Sequence, residues 1–590
     1  MKKTLLFLLL FYISNSFAQS LSLDWFSRIN SNYFIAGKSV AANNNGESYS
    51  TGVFVDTADF DPDPNNELLI HAVGHSSIFI QKLDNQGHLL WVKTLNNQNY
   101  PHSAALMALD IQVSYENGNE YIYILGDFVK TVDFDPGPGE FTLTATTHNY
   151  WIPDIFLLKL DSNGNFIWVK KFGAGGNSVD VAYNFAFDSL GNILLTGFFN
   201  IPYNYYSLIY EIPYQEITIW ATDMRIIKLN PNGAILWDKV LTGNGYVGAN
   251  GIAVDSQDNV LIAGNFAGTI DFDPSAGISE LISQSEDDIF IEKLDTDGNF
   301  IWVKQLAGNI SDGAIDILAD NQDNIYTLGY YRQNIDFDPS SNQYIGQSTN
   351  NHKNAFVLKL DSSGNFQWVD QLYDKEATDI HLYNDKLLIC FNISPYTHDY
   401  NVDTMNDLVQ LQHGVNNADT DMLILQLNPD DGSILNQTNI SGYNGGIAKP
   451  YKMSSYDNHV LLIGHFNGDV DFDPSPNGTF MQTAPIPQYI INGMYDNFTL
   501  NLTTGNAGNI NESSLKNIAL YPNPTTDAVF HIKGITGKYD ISITDVTGKI
   551  IKEQKHITNQ TPINIPGAKG VYFVRIETGD YLTTKRLIVK

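Results

Sequence analysis

The chain has 590 residues, of which 43% are hydrophobic and 12% aromatic, and it carries a formal net charge of −32. This length exceeds an ordinary single domain unless the fold is a repeat array, and the apolar content excludes a disordered chain. Residues 19–515 hold 20 basic and 59 acidic residues, which disfavours nucleic acid and anionic membranes as partners of this segment.

The N-terminus predicts a secretory signal peptide over residues 1–18. Lys2 and Lys3 form a basic start, an apolar run follows, and the stretch from Ser16 to Ala18 fits a small-x-small cleavage site. The alternative is an N-terminal membrane anchor, which is less favoured because the apolar run is short for a mature membrane-spanning helix. No later apolar stretch is long enough to cross a bilayer. Export from the cytoplasm is the first functional expectation.

A tryptophan motif recurs at spacings of 65 to 77 residues. One copy, from Ile155, reads IFLLKLDSNGNFIWVKKF, and two weaker copies begin at Met422 and Asn497. The full copies are centred on Trp91, Trp168, Trp237, Trp302 and Trp368. Each copy alternates apolar and polar residues on both sides of an Asp-x-x-Gly or Asn-x-x-Gly turn, which predicts a β-hairpin.

A second hairpin precedes each tryptophan hairpin, so each repeat supplies four short antiparallel strands. No helical periodicity is evident in the mature chain, and the repeats predict an all-β, seven-bladed β-propeller over residues 19–504, with blades of about 60–77 residues. The last repeat ends after its third strand, whereas residues 20–29, which include Trp25, read as a fourth strand. We therefore predict that this N-terminal strand pairs beside Asn497–Leu502 and closes the ring, which removes exposed sheet edges.

The repeats resemble the bacterial β-propeller repeat families over about 480 residues. The stretch LDSNGNFIW is also similar to the tryptophan repeat of quinoprotein dehydrogenases, although its Asp-to-Gly interval is one residue shorter. Both resemblances imply a propeller, and neither implies a particular activity. A quinone-dependent dehydrogenase stays open in principle, without a nameable set of cofactor contacts.

Five repeats carry the motif Asp-Phe-Asp-Pro between the second and third strands of a blade, so all five should lie on one rim. The aspartates are Asp59, Asp61, Asp133, Asp135, Asp271, Asp273, Asp336, Asp338, Asp471 and Asp473. In an extended segment each pair points to one side and the phenylalanine to the other. The favoured interpretation is structural, with the aspartates accepting hydrogen bonds from turn amides. The alternative is a Ca²⁺ site completed by backbone carbonyls, in which the cation relieves carboxylate repulsion.

Two repeats lack this motif. The sixth reads YNVDTMNDL instead, and the third carries a longer aromatic insert. The aromatic residues of the insert that we select as ligand contacts are Tyr203, Tyr205, Tyr206, Tyr210 and Trp220. Aromatic faces on a propeller rim can stack on sugars or peptides, or they can cover the edge of their own blade.

A different composition follows a predicted linker at residues 505–515. Alternating strands separated by Gly, Pro and Asp turns predict a small β-sandwich over residues 516–590. The motifs YPNP, DVTGK, GVYFVRI and KRLIVK together resemble the type A C-terminal sorting domain of the type IX secretion system of Bacteroidetes. On the matching positions, the sorting motif comprises Tyr521, Pro522, Asn523, Pro524, Gly570, Tyr572, Lys585 and Arg586. The resemblance implies the type IX secretion machinery as partner, and passage through the periplasm to the outer cell surface or the medium.

Catalytic signatures are scarce in the chain. It has no His-Glu-x-x-His, no Gly-x-Ser-x-Gly and no Cys/His metal cluster, and its one cysteine, Cys390, reads as a core thiol. A sialidase fits poorly, because the hairpins lack Asp-box spacing and the large segment has only Arg28, Arg225 and Arg332. Close repetition favours a non-catalytic binding or scaffold protein for a glycan or protein ligand. The alternative is a secreted polysaccharide-active hydrolase or lyase, which needs only two carboxylates.

Overall fold

The computed structural model describes residues 21–74, 76–97, 106–146, 152–173, 178–202, 223–348, 353–372, 376–393, 401–404, 407–410, 421–475, 479–484, 495–504, 519–521, 529–533, 538–545, 549–558, 562–565, 569–577 and 582–589. The predicted signal peptide and linker lie outside these residues, as do the selected insert aromatics, Tyr203 to Trp220. The chain divides into two compact units, one ending at Thr504 and the other beginning at Gly505. All the regular secondary structure among the described residues is β-strand. Within those ranges there is consequently no helix that could cross a membrane.

The first unit contains 38 strands among its described residues. The strands of its first third are β1 (Leu21–Ser31), β2 (Phe34–Ala42), β3 (Ser48–Val55), β4 (Thr57–Asp59), β5 (Leu69–His71), β6 (Ser77–Leu83), β7 (Leu89–Asn97), β8 (Leu106–Glu116), β9 (Asn119–Phe128), β10 (Thr131–Asp133), β11 (Thr142–Thr144), β12 (Asp154–Asp161) and β13 (Phe166–Phe172). They are followed by β14 (Ser178–Phe187), β15 (Ile193–Pro202), β16 (Asp223–Leu229), β17 (Ile235–Leu241), β18 (Val247–Val254), β19 (Val260–Phe266), β20 (Thr269–Asp271), β21 (Glu280–Ile282), β22 (Asp288–Leu294), β23 (Phe300–Gly308), β24 (Gly313–Ala319), β25 (Ile325–Tyr331), β26 (Asn334–Asp336) and β27 (Ile345–Gln347). The last are β28 (Asn354–Leu360), β29 (Phe366–Leu372), β30 (Glu376–Tyr383), β31 (Lys386–Ile393), β32 (Asn401–Thr404), β33 (Asp407–Gln410), β34 (Asp421–Leu427), β35 (Ile434–Tyr456), β36 (His459–Asp471), β37 (Met481–Ala484) and β38 (Asp496–Thr504).

Strand pairing joins these strands into successive four-stranded antiparallel sheets, which we number as blades 1 to 7. Blades 1 to 5 consist of β2-β3-β6-β7, β8-β9-β12-β13, β14-β15-β16-β17, β18-β19-β22-β23 and β24-β25-β28-β29. Blade 6 is β30-β31-β34 with the first part of β35, and blade 7 is the rest of β35 with β36, β38 and β1. In each blade the first strand in this order is the inner strand and the fourth is the outer strand.

The N-terminal strand closes the ring, as predicted. Strand β1 pairs antiparallel with β38 and places Leu21 opposite Thr504 and Ile29 opposite Asn497. The inner strands contact one another in the order β2, β8, β14, β18, β24, β30 and β35, and β35 contacts β2. The first unit is therefore an all-β propeller, and the predicted fold class is confirmed.

Burial along the blade follows strand position. The third strands β6, β22 and β28 are buried at every residue, because neighbouring blades cover both of their faces. The outer strand β13 keeps exposed and half-buried residues along most of its length, because its outward face meets solvent. Successive blades share continuous apolar clusters. Cys390 lies in one of these clusters and is fully buried, as expected.

The second unit is a small β-sandwich, as predicted. Its strands are β39 (Ala519–Tyr521), β40 (Val529–Lys533), β41 (Tyr539–Asp545), β42 (Ile550–Ile557), β43 (Ile563–Asn564), β44 (Gly570–Glu577) and β45 (Leu582–Val589). They form one sheet in the order β39-β40-β43 and another in the order β42-β41-β44-β45. Phe530 from the first sheet and Val574 from the second belong to one buried core.

The described part of the sorting motif lies on three of these strands. Tyr521 ends β39, Gly570 and Tyr572 lie on β44, and Lys585 and Arg586 lie on β45 opposite β44. Tyr572 is buried in the sandwich core. The remaining motif positions, 522–524, lie outside the described residues.

Candidate functional site

The repeated tryptophan attaches one blade to the next at five junctions between described residues. Trp168 on the outer strand of blade 2 donates its Nε1–H to the carbonyl oxygen of Pro231 in blade 3, at 3.2 Å. Lys159 donates to the same oxygen at 3.0 Å. Gly233 of that turn has φ +76° and lies so close over the indole that a Cβ would be 3.3 Å from it, so the turn favours glycine on both counts. The equivalent indole-to-carbonyl pairs are Trp25–Asn85, Trp91–Ser162, Trp237–Thr296 and Trp368–Pro429.

The Asp-Phe-Asp-Pro motif builds a capped loop. Asp271 Oδ1 accepts the backbone N–H groups of Asp273 and Ser279, at 3.1 and 2.8 Å, and Asp273 Oδ1 accepts that of Ser275 at 2.9 Å. The other four loops repeat this pattern. The motif phenylalanines are fully buried: Phe60, Phe134, Phe272, Phe337 and Phe472. These contacts are the ones that the structural interpretation of the motif predicts, with aspartates that accept hydrogen bonds from turn amides.

The same loops also attach a blade to the one before it. Asp59 pairs with Asn30 of blade 7, and Asp336 pairs with Ala307 of blade 4. Strand β10 of blade 2 pairs likewise with β7 of blade 1. A ribbon from one blade thus extends the outer strand of its predecessor, so the tryptophan and the motif together attach a blade in both directions.

The calcium hypothesis for these aspartates stays a prediction. The motif contributes two carboxylates to each loop, and among the described residues no group of three or more His, Cys, Asp or Glu side chains could hold a metal ion. A Ca²⁺ ion takes six to eight oxygen ligands, so most would have to come from carbonyls and water. Thermal unfolding with and without EDTA tests it, since a bound ion raises the melting temperature by mass action. An unchanged melting temperature would contradict a Ca²⁺ site.

Inside the ring, the repetition ends. Each inner strand has a bulge at an equivalent place, and the residues that follow the bulge are Ser39, Asp110, Asn184, Gly251, Asp316, Asp379 and Lys452. On the second strands, the equivalent positions beside the inner ring are Val53, Asp127, Phe198, Asn265, Tyr330, Asn392 and His465. Neither set follows the repeat, so these positions are free of the constraint that the blade contacts impose.

Several of these residues form a charged network, the axial hub, made of Ser39, Asp110, Asn184, Asp316, Asp379 and Lys452. Lys452 Nζ of blade 7 lies 2.8 Å from Asp316 of blade 5 and 2.9 Å from Asp379 of blade 6. Asn184 of blade 3 donates to Asp316 at 3.2 Å. In blades 1 and 2, Ser39 donates to Asp110 at 2.7 Å. The hub connects blades across the axis of the propeller.

Burial governs the protonation of the hub. Burial acts against the charge of Lys452, but Asp316, Asp379 and Asp110 raise the pKa of its ammonium well above the usual value. Burial raises the pKa of Asp379 to about 6, with Lys452 opposing the shift. Burial also raises the pKa of Asp110, again against Lys452. Among the described residues, Lys452 is the one ammonium that interacts electrostatically with all three carboxylates. The charge balance of the hub therefore depends on Lys452.

Next to the hub lies a small cavity that we call the inner-ring pocket. It has a volume of about 300 Å³ between blades 5 and 6, and the residues that define it are Ile315, Tyr330, Lys353, Glu376, Thr378 and Asn392. Lys353 Nζ lies 4.0 Å from the centre of the Tyr330 ring. Burial, then the charge of Arg332, lowers the pKa of this ammonium, and Glu376 only partly opposes them.

An acid cluster of Tyr246, Asp287, Asp312 and Arg332 adjoins the pocket. Burial raises the pKa of Asp312 to about 8, and Asp288 and Asp287 add to the shift. Burial likewise raises the pKa of Asp287, and that of Tyr246 well above its usual value. Perturbed titratable groups gathered on one side of a ring mark a functional candidate. The inner-ring pocket and this cluster form the candidate site, which the sequence reading of the rim had missed.

A groove of about 480 Å³ also lies at the outer edge of blades 4 and 5. Its lining includes Lys304, Gln305, Asp336 and Asp338, so one of the predicted aspartate pairs does face a cavity. The groove is bordered by the ribbon that attaches blade 5 to blade 4, whose contacts are structural. The inner-ring pocket is the stronger candidate, because its residues differ from blade to blade.

Comparison with known proteins settles the export route. Residues 519–590 match the family described as the secretion system C-terminal sorting domain. The second unit is a type IX sorting domain. The chain that carries it is therefore exported, to the cell surface or into the medium, as the sequence motifs indicated.

Comparisons of the propeller are less specific. An uncharacterized WD repeat-containing protein of Acanthamoeba polyphaga mimivirus is 26% identical over 338 residues, which cover 50% of this chain and 24% of that protein. The chain thus spans about a quarter of the length of the curated relative it matches.

Solved structures resemble the chain only distantly. PorZ, a surface component of the type-IX secretion system of Porphyromonas gingivalis, is 11% identical over 94% of this chain and 81% of its own, with a TM-score of 0.24. A mutant of Synechocystis apocarotenoid oxygenase is 11% identical over 82% and 94%, with a TM-score of 0.36. Similarity at this level transfers no residue role to the chain.

Proposed function

We propose that the protein is a non-catalytic binding protein of the cell surface or medium, and that its propeller binds a ligand in the inner-ring pocket. One observation carries the proposal: the repeated positions serve contacts between blades, whereas the positions around the pocket do not follow the repeat. A specific ligand needs one asymmetric constellation, and among the described residues the inner face of the ring offers one. The sorting domain supports an external location for this binding.

The test is a panel of glycans and peptides presented to the purified exported protein. The panel is scored both for binding and for release of reducing ends. Saturable binding without release, lost on substitution of Lys353, is the expected result. Release of reducing ends would contradict the non-catalytic proposal, and binding that survives every substitution in the pocket would contradict its location.

A polysaccharide-active enzyme is the second candidate, favoured by the acid cluster. A carboxyl group with a pKa of about 8 stays protonated at neutral pH, which suits a general acid, and a second carboxyl lies nearby in the cluster. Against it, Asp312 is fully buried, and its Oδ2 lies 1.7 Å from where a Cβ on Gly308 would be. This close packing against glycine gives Asp312 a structural role instead. Loss of turnover in Asp312→Asn, with the fold intact, would favour the enzyme.

A further inference from the structure

Lys353 in the inner-ring pocket is a cation with too little counter-charge. It is half-buried, directly before β28, and its ammonium lies over the Tyr330 ring. In the described part of the chain, Glu376 is the one carboxylate that acts on its charge, and Glu376 is exposed. Arg332 acts on the same ammonium with like charge. A desolvated ammonium in this setting is stabilised by an anion that enters the pocket.

Four other buried lysines differ from Lys353 in having a close carboxylate partner. Lys82, Lys159, Lys228 and Lys293 each lie within 2.7 to 2.9 Å of a carboxylate oxygen of the same blade. These lysines point at the blade contacts and are neutralised there. Lys353 instead lines a cavity, so its missing partner is one that a ligand can supply.

The other polar groups of the pocket call for hydroxyl groups. Asn392 Oδ1 is buried and accepts no hydrogen bond from the described residues. Thr378, whose hydroxyl donates to the carbonyl oxygen of Cys390 at 3.5 Å and can still accept, lines the same cavity. A buried acceptor without a donor is destabilising, so a ligand hydroxyl that reaches it gains affinity. A ligand that satisfies both Lys353 and the polar groups of Asn392 and Thr378 therefore carries an anionic oxygen together with hydroxyl donors.

We infer that the inner-ring pocket binds one acidic sugar residue, whose carboxylate pairs with Lys353 and whose hydroxyls bond Asn392 and Thr378. A volume of about 300 Å³ lies at the lower end of ligand pockets, which suits a single residue better than a stretch of chain. The inference rests on the proposed binding function and adds the chemical class of the ligand.

The experiment uses the full exported chain and two matched probes, galacturonate oligosaccharides and the same oligosaccharides with every carboxyl methyl-esterified. We expect the free acids to bind at least tenfold more tightly than the esters, with an affinity that falls as salt rises. Free galacturonate in the same titration separates a site for single sugars from one for chain ends. Tighter binding of oligosaccharides than of the monosaccharide indicates a chain end, and equal binding indicates a single sugar.

Three substitutions locate the contact. Lys353→Met should lower the affinity for the free acid at least tenfold, and Lys353→Arg should keep it within about threefold. Glu376→Gln should raise it twofold or more, because it removes a carboxylate that repels the ligand. Lys304→Met is the matched control, since Lys304 also lies near an aromatic ring, that of Trp302 at 5.7 Å, but outside this pocket. A purely structural role for Lys353 would not give opposite effects at Lys353 and Glu376.

The outcomes separate this inference from the proposal beneath it. Equal binding of acid and ester, unchanged by Lys353→Met, overturns the acidic-sugar inference and leaves a binding protein of other specificity. Binding of an acidic peptide in preference to both probes does the same. Failure of all glycans and peptides to bind overturns the inference and the proposed function together.

Discussion

The outer and inner parts of the propeller obey opposite rules. At the periphery, the same contacts recur from blade to blade, such as Trp168 to Pro231 and Asp271 to Ser279. Around the axis, equivalent positions hold Lys452 in one blade, Asp379 in another and Asn184 in a third. Repetition thus marks the residues that hold the ring together, and departure from repetition marks those available for a specific ligand.

The largest effect is expected at the hub. Replacing Lys452 by Met leaves Asp316 and Asp379 buried beside each other without a cation, so stability should fall by about 3–5 kcal/mol. Chemical denaturation of the exported protein measures it. The triple variant Lys452→Met, Asp316→Asn, Asp379→Asn should recover much of the loss, because no uncompensated charge remains. A loss below about 1 kcal/mol in the single variant would mean that the hub does not hold the ring.

The second effect concerns a peripheral contact. Trp168→Ala removes the indole between blades 2 and 3 and should cost about 2–3 kcal/mol, less than a fully buried tryptophan because the ring is half-buried. Ile167→Ala, one residue earlier and 44% exposed, is the control and should change stability by less than about 0.5 kcal/mol. Equal effects at the two positions would show that the contact of Trp168 between the blades does not contribute to stability.

A smaller and opposite effect is expected in blade 4. Glu292 is fully buried, both of its carboxyl oxygens lack a partner among the described residues, and burial raises its pKa well above the usual value. The equivalent residue of blade 1, Gln81, donates to the carbonyl of Phe60 at 3.0 Å. Glu292→Gln should therefore stabilise the protein by about 1–2 kcal/mol at neutral pH.

The pH dependence gives the sign of this effect. The folded state holds the Glu292 proton at pH values where the unfolded chain has released it, so the wild type loses stability as pH rises above about 4.5, up to the folded pKa. The gain from Glu292→Gln should grow with pH over that window. The reverse variant, Gln81→Glu, should destabilise increasingly with pH. A pH-independent gain at position 292 would show that Glu292 is not held neutral.

The smallest effect is expected at a loop cap. Asp271→Ala removes the acceptor of two backbone amides and should cost about 1 kcal/mol, measured as a shift in the thermal midpoint. Glu280→Ala, an exposed residue of the same ribbon, should be neutral. An unchanged midpoint for Asp271→Ala in calcium-free buffer would contradict the structural role of the motif.

The sequence predicted the periphery well, because its signals are local. Alternation around a glycine turn sets each hairpin, and Trp25 identified the closing strand from its likeness to the other tryptophan strands. The hub and the pocket could not be predicted in this way. Lys452 and Asp316 are 136 residues apart, and the bulge that turns them to the axis has no sequence signature of its own. Glu292 alone could have been found, as a charge where other blades carry an apolar residue or Gln81.

The most direct test of this division between periphery and axis is a paired measurement on Trp168→Ala and Lys353→Met. For each variant, the thermal midpoint and the affinity for galacturonate oligosaccharides are determined at a temperature where both are folded. We predict that Trp168→Ala lowers the midpoint and leaves the affinity unchanged, whereas Lys353→Met keeps the midpoint and loses at least tenfold in affinity. If both variants lower the midpoint equally and neither changes the affinity, the account is contradicted.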